Sequence, residues 1–170
     1  MLKRKWWLIG GIIFASIAGV LLHFVYQWSG ENQIVGYFSV VNESTWEHLK
    51  LLFVPVATFS VFEWFKFRKD YPGFLMSRAI ALILGMLWII VSFYTISGIV
   101  GKADMPVINI GIFISGVIIT FILTDIIMRS MFNPPDRANI IALVILLILA
   151  VLFAVWTYNP PSIGLFAVPQ

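Results

Sequence analysis

The sequence predicts an all-α integral membrane protein: a bundle of about five transmembrane helices with its N-terminus cytoplasmic and its C-terminus outside. Three observations predict it. Of the 170 residues, 61% are hydrophobic and 11% charged, and the mean hydropathy is +0.98. Soluble domains are roughly half apolar and about a quarter charged, so this balance names lipid as the solvent. Five apolar runs, roughly 6–28, 46–65, 74–99, 106–128 and 138–157, supply spans. Each is close to the ~20 residues that a hydrocarbon-crossing helix needs, and each closes its own backbone hydrogen bonds. The third observation is charge. With the N-terminus inside, Lys3, Arg4, Lys5, Lys66, Arg68, Lys69, Arg78, Arg129 and Arg137 fall at cytoplasmic ends, and Lys50 and Lys102 fall outside. That is the positive-inside bias.

The first run begins as a signal peptide does, with Lys3, Arg4 and Lys5. Its apolar part, Trp6 to Trp28, outlasts the about 7–15 residues of a signal core. The exit Tyr26-Gln27-Trp28-Ser29-Gly30 offers no small-residue cleavage site, so a retained helix is expected. Residues 34–45 follow, too short to span, and predict an interfacial or re-entrant segment. The second run starts with Glu47, His48 and Lys50 in one turn and holds Pro55, which predicts a kink. A short helix with a polar outer turn suggests a water-filled pocket in the outer leaflet. Ser92, Tyr94, Thr95 and Ser97 make the outer half of the third run polar, and Lys102 and Asp104 lie where either can face that pocket. Gly111, Ser115 and Gly116 read as small residues permitting close helix packing. Asp125 with Arg129, and Glu63 with Lys66, read as ion pairs along one helix face. The tail after Tyr158, with Pro160-Pro161 and then Ile163, Leu165 and Phe166, is a second irregular piece on the outer side.

Several classes are excluded. The chain has no cysteine, so disulfides, thiolate ligands and cysteine nucleophiles are out. Basic residues sit at the ends of apolar runs rather than on one face, so nucleic acid is not an expected partner. No phosphate-binding loop, dinucleotide glycine pattern, nucleophile elbow or arginine-rich voltage sensor is present.

The densest polar group is Asn42-Glu43-Ser44-Thr45-Trp46-Glu47-His48. On a helix Glu43 and Glu47 share a face, as do Ser44 and His48. Glu43, Glu47 and His48 are candidates for acid–base chemistry. A ligand site is expected from His23, Tyr26, Asn42, Glu43, Trp46, Glu47 and His48, because His23 falls at the depth of His48 and ionisable residues inside spans mark function. The local explanation is a capping box, with Ser44 as N-cap and Glu47 reaching back. It accounts for Ser44 and Glu47 but not for His48. No cofactor is predicted. Zinc or another divalent cation requires three or four converging ligands, for which His23, His48 and one of the two glutamates are the candidates.

The stretches His23-Phe24-Val25-Tyr26-Gln27-Trp28-Ser29-Gly30, Val41-Asn42-Glu43-Ser44-Thr45-Trp46-Glu47-His48-Leu49-Lys50 and Tyr158-Asn159-Pro160-Pro161 resemble an uncharacterised family of small bacterial, Firmicutes-type, multi-pass membrane proteins. The resemblance implies a bacterial plasma-membrane location and marks His23, Glu43, Glu47 and His48. Members of that family often carry a histidine after the paired prolines, where this chain has Ser162, so a shared ligand set is incomplete here.

Three functional readings follow. The first is a small-molecule or ion binding or transport component, a homo-oligomer or subunit of a membrane complex, with an outward-facing polar pocket. The second is a membrane-embedded enzyme acting on a lipid or envelope precursor through carboxylate–histidine or metal-assisted chemistry. The third is an assembly subunit whose polar cluster is a helix cap and partner contact.

Overall fold

The computed structural model describes residues 2–130 and 134–169, and of Leu2 and Lys3 the backbone alone. Among these residues the helices are α1 (Leu2–Trp28), α2 (Gln33–Gly36), α3 (Thr45–Phe67), α4 (Phe74–Val100), α5 (Pro106–Arg129) and α6 (Ala138–Tyr158), and a 3-10 turn covers Gly164–Phe166. All but α2 are long and apolar enough to cross a membrane. The five expected runs are these helices, with α1 extended back through the basic residues and the others matched to within two residues. Alternating helix directions give the bundle two ends. The tail end gathers residues 29–44, the α4–α5 loop and the C-terminal tail; the opposite, basic end gathers the loops after Phe67 and Arg129.

Local chemistry sets the boundaries. Asn32 caps α2, its side-chain oxygen accepting from the Ile34 and Val35 amides, and Ser44 caps α3 by accepting from the Glu47 amide. Pro106 opens α5 at a position where its missing N–H costs nothing. Gly101 ends α4 in the left-handed region, φ 70°, with its amide returned to the Ser97 carbonyl.

In lipid, helices are held by close packing rather than by a hydrophobic drive, so small residues mark the contacts. Helix α3 packs against α1, α4, α5 and α6, and Leu52, Val56, Leu82, Val117 and Phe121 fill the centre. Helices α4 and α5 cross where a Cβ on Gly85 collides with the Thr120 hydroxyl and one on Gly116 comes within 2.7 Å of Ile89. Gly116 thus fills its expected role. Gly111 does not: it is exposed, with nothing within 4 Å of a Cβ there. Pro55 lies inside α3 and leaves the Leu51 carbonyl without its usual helical donor. Gly19 of α1 packs on that carbonyl, where a Cβ comes within 2.7 Å of the oxygen.

One expected ion pair is corrected. Glu63 pairs not with Lys66, which is exposed, but with Arg78 of α4, and both partners are buried. A buried guanidinium needs a counter-charge, whereas Lys66 at the end of α3 is solvated without one. Arg78 also lies over the Phe121 ring, 4.3 Å from its centroid. Asp125 does pair with Arg129, at 2.7 Å, and takes Arg4 of α1 as well, at 2.7 Å. Lys50 is likewise buried. Arg78 and Lys50 are therefore core charges, one on each side of the charge comparison, and its direction is unchanged without them. The Lys3 side chain, counted in that comparison, lies outside the described residues.

Candidate functional site

The site is built where residues 37–44 fold back onto the tail end of α1 and α3. Ser39 is fully buried; its hydroxyl donates to the Leu22 carbonyl and accepts from the Tyr26 amide at 3.1 Å. Those are the two backbone groups an α-helix joins to each other, so this loop is pinned to the turn that carries His23. A second anchor is Glu47. One carboxylate oxygen accepts from Lys50 at 2.7 Å and from the Val41 amide at 2.9 Å, and the other lies 3.0 Å from the Thr157 hydroxyl of α6. The Lys50 ammonium donates to the Gly36 carbonyl at 2.8 Å and to Thr157 at 3.0 Å, so its three protons have three acceptors. The network is closed on itself and buried.

The capping box is half formed. Ser44 caps the Glu47 amide, but the Ser44 amide donates to Asn42 Oδ1 at 2.9 Å, and the Glu47 carboxylate serves the network instead. Because α3 begins at Thr45, Glu43 lies outside the helix and shares no face with Glu47. The expected pairing of the two carboxylates is thereby corrected: one is buried in a structural network and the other is exposed.

Glu43 turns instead to the histidines. Its Oε2 lies 3.4 Å from His48 Nε2, and the His23 and His48 rings are 5.2 Å apart between centroids. One ligand atom from each of His23, Glu43 and His48 lies within 4.8 Å of the others. His48 Nδ1 is 2.9 Å from the Ser44 carbonyl. A carbonyl only accepts, so Nδ1 carries the proton and, in the neutral ring, Nε2 presents a lone pair toward a carboxylate oxygen. Two acceptors face each other there, a geometry that calls for a cation or a proton between them. His23 Nδ1 is buried with no hydrogen-bond partner among the described residues.

Beside this group lies a cavity of about 430 Å³ between α3, α4, α5 and the tail. Glu43 and His48 form one wall; Leu51, Ile89, Phe93 and Phe113 make it apolar; Asp104 and Val168 lie toward the loop and the tail. Among the described residues its charged lining is acidic, Glu43 and Asp104, with no Lys or Arg. The tail is held over the end of the bundle by Tyr94, whose hydroxyl donates to the Gly164 carbonyl at 3.0 Å, and by Phe166 against Trp46.

Of the residues expected at the site, His23, Glu43 and His48 come together. Asn42 caps a backbone amide. Trp46 is buried among Phe153, Trp156 and Phe166. Tyr26 lies against Gly36 on the loop, away from the cavity lining. Ser162 is exposed and does not line the cavity. Sequence reasoning missed Asn109, a residue of the cavity lining whose Oδ1 is buried with no hydrogen-bond partner among the described residues. An amide in the first turn of an otherwise apolar run is the signal that marks it.

An all-helical bundle with five helices fit to cross a membrane, and a histidine–carboxylate group at one end, defines a multi-pass membrane protein of the all-α class. The chain belongs to DUF6512, a family of unknown function, which matches residues 1–168. No curated protein and no solved structure matches it.

Proposed function

We propose that the protein is a divalent-cation binding component of the bacterial plasma membrane, with His23, Glu43 and His48 holding the ion at an outward-facing site. The observation that carries this reading is the 3.4 Å approach of His48 Nε2 to Glu43 Oε2, with His23 alongside. Zinc bonds of about 2.0–2.2 Å in a tetrahedron put neighbouring ligand atoms roughly 3.3–3.5 Å apart. The His48–Glu43 separation already has that value, and a ligand atom of His23 lies within 4.8 Å of both. The Ser44 carbonyl acts as the outer-shell partner that fixes the His48 tautomer. Three protein ligands leave a coordination position open, and an acid-lined vestibule concentrates cations from outside. Orientation rests on the distribution of Lys and Arg, and the ion is cargo, signal or reagent according to partners that lie outside this chain.

Metal analysis of protein purified without chelator, followed by Zn²⁺ titration of the stripped protein, tests the reading. One ion per chain is expected, with affinity lowered more than tenfold in His23→Ala and in His48→Ala. Failure of the wild-type chain to bind Zn²⁺ saturably, or binding that is indifferent to both substitutions, overturns it.

A second reading is favoured by one observation: Glu43 and His48 are at once ligand candidates and a wall of the cavity. An ion there is placed to polarise a molecule lying in the cavity, as metal-assisted chemistry on a lipid or envelope precursor requires. Turnover of such a substrate that is lost on chelation separates it from simple capture.

A further inference from the structure

We propose that the cavity takes an amphiphile with a single short alkyl or acyl chain, whose oxygen-donor head completes the coordination of the ion held by His23, Glu43 and His48. The inference rests on the cation-binding reading and adds the chemical class of its co-ligand.

Size and lining argue for the chain. A volume of 430 Å³ falls in the range of about 300–1,000 Å³ typical of small-molecule sites and is far larger than a metal ion with its waters requires. Away from the ligand group the walls are Leu51, Ile89, Phe93, Ile112 and Phe113, contributed by three helices. Water gains little against such walls, and an alkyl chain gains by leaving it.

The polar groups argue for the head. Glu43 and His48 lie at the ligand group, so a molecule filling the cavity has one end at the ion's open position. Among the described residues no Lys or Arg lines the space, so a negatively charged or oxygen-rich head finds no cation of theirs. It finds the ion. Binding of the head is then conditional on the metal, which distinguishes this site from an ordinary anion pocket. Asn109, whose Nδ2 donates to the Ala103 carbonyl at 3.1 Å, adds a polar residue to the lining.

Hydroxamates are suitable probes, because they chelate divalent ions through two oxygens and are available with different chains. The full-length protein in lipid nanodiscs, loaded with Co²⁺, is titrated with octanohydroxamate and acetohydroxamate. The visible spectrum of the bound Co²⁺ is followed, since partition of the probe into lipid does not move it. Octanohydroxamate is expected to bind at least tenfold more tightly than acetohydroxamate. Ala103→Trp, which fills the cavity from the α4–α5 loop, is expected to keep Co²⁺ binding and to lose that chain-length preference; Ala103→Leu, a gentler filling, should lose part of it. Equal affinity for the two probes, or a preference that survives in both filled variants, overturns the amphiphile. Absence of a bound-Co²⁺ spectrum before any probe is added overturns the cation reading itself, and the co-ligand with it.

Discussion

His48 and Ser44 are joined by a 2.9 Å contact from the imidazole Nδ1 to the backbone carbonyl one turn earlier in the chain. The carbonyl accepts the Nδ1 proton and thereby leaves Nε2 as the atom that faces Glu43, the atom the proposed ion would bind. A protonated imidazole or carboxyl group must lose its proton before it can hold an ion, so acid competes with metal. In Zn²⁺ titrations at descending pH, log affinity should fall with a limiting slope of up to about three protons per ion for the wild type, one for each of His23, Glu43 and His48, and about one fewer for His23→Ala. A wild-type slope near zero would exclude the histidines as ligands.

Glu47, adjacent to His48, has a different task. Its pair with Lys50 is buried, 1% and 0% exposed, and ties α3 to the Gly36 loop and to α6. Removing one charge leaves the other buried without compensation, which costs about 3–5 kcal/mol. Lys50→Met is expected to lower stability by that amount in thermal or denaturant unfolding of the detergent-solubilised protein. Adding Glu47→Gln removes the orphaned charge while keeping an acceptor for the Val41 amide and a donor for Thr157, so the double variant should regain most of the loss. A double variant no more stable than Lys50→Met alone refutes the account.

The spans were legible in the sequence because a bilayer imposes one requirement, length of apolar helix, and each run meets it without reference to the others. The site was legible only in part. His23 and His48 could be matched by depth, since α1 and α3 are antiparallel neighbours. The separation of Glu43 from Glu47 could not be read, because it depends on α3 starting at Thr45 rather than two residues earlier. Nor could the Glu63–Arg78 pair. Spacing on one helix offers Lys66, and only the packing of α4 against α3 brings Arg78 to the buried face. The polar first turn of the second run pointed to a pocket in the outer leaflet, but not to its lining, because residues of α3, α4, α5 and the tail meet there only in the folded chain.

Close packing separates two glycines that look alike in sequence. Gly85→Ala drives a methyl group into the Thr120 hydroxyl at the α4–α5 crossing and is expected to destabilise the protein by about 1–3 kcal/mol, as overpacking does. Gly111→Ala meets nothing, and by improving helix propensity it should be neutral or stabilising by up to about 1 kcal/mol. Unfolding midpoints of the two variants moving in the same direction by similar amounts would contradict the crossing geometry.

Orientation is open to direct measurement because the chain contains no cysteine of its own. Gln33, the first residue of α2, and Asp70, in the loop after α3, are exposed at opposite ends, and the side chain of neither forms a hydrogen bond or ion pair among the described residues. At the Asp70 end, Arg68, Lys69, Arg129 and Arg137 are exposed; at the Gln33 end, Lys102 is the one exposed Lys or Arg among the described residues. Translocating several exposed cations is disfavoured, so the Asp70 end should stay inside and the His23–Glu43–His48 group should face out. In intact cells an impermeant maleimide is expected to label Gln33→Cys and to reach Asp70→Cys only after permeabilisation. The reverse pattern would place the ion site in the cytoplasm, where the acid-lined vestibule would draw on the cell's own metal pool and the protein could not serve as an external receptor.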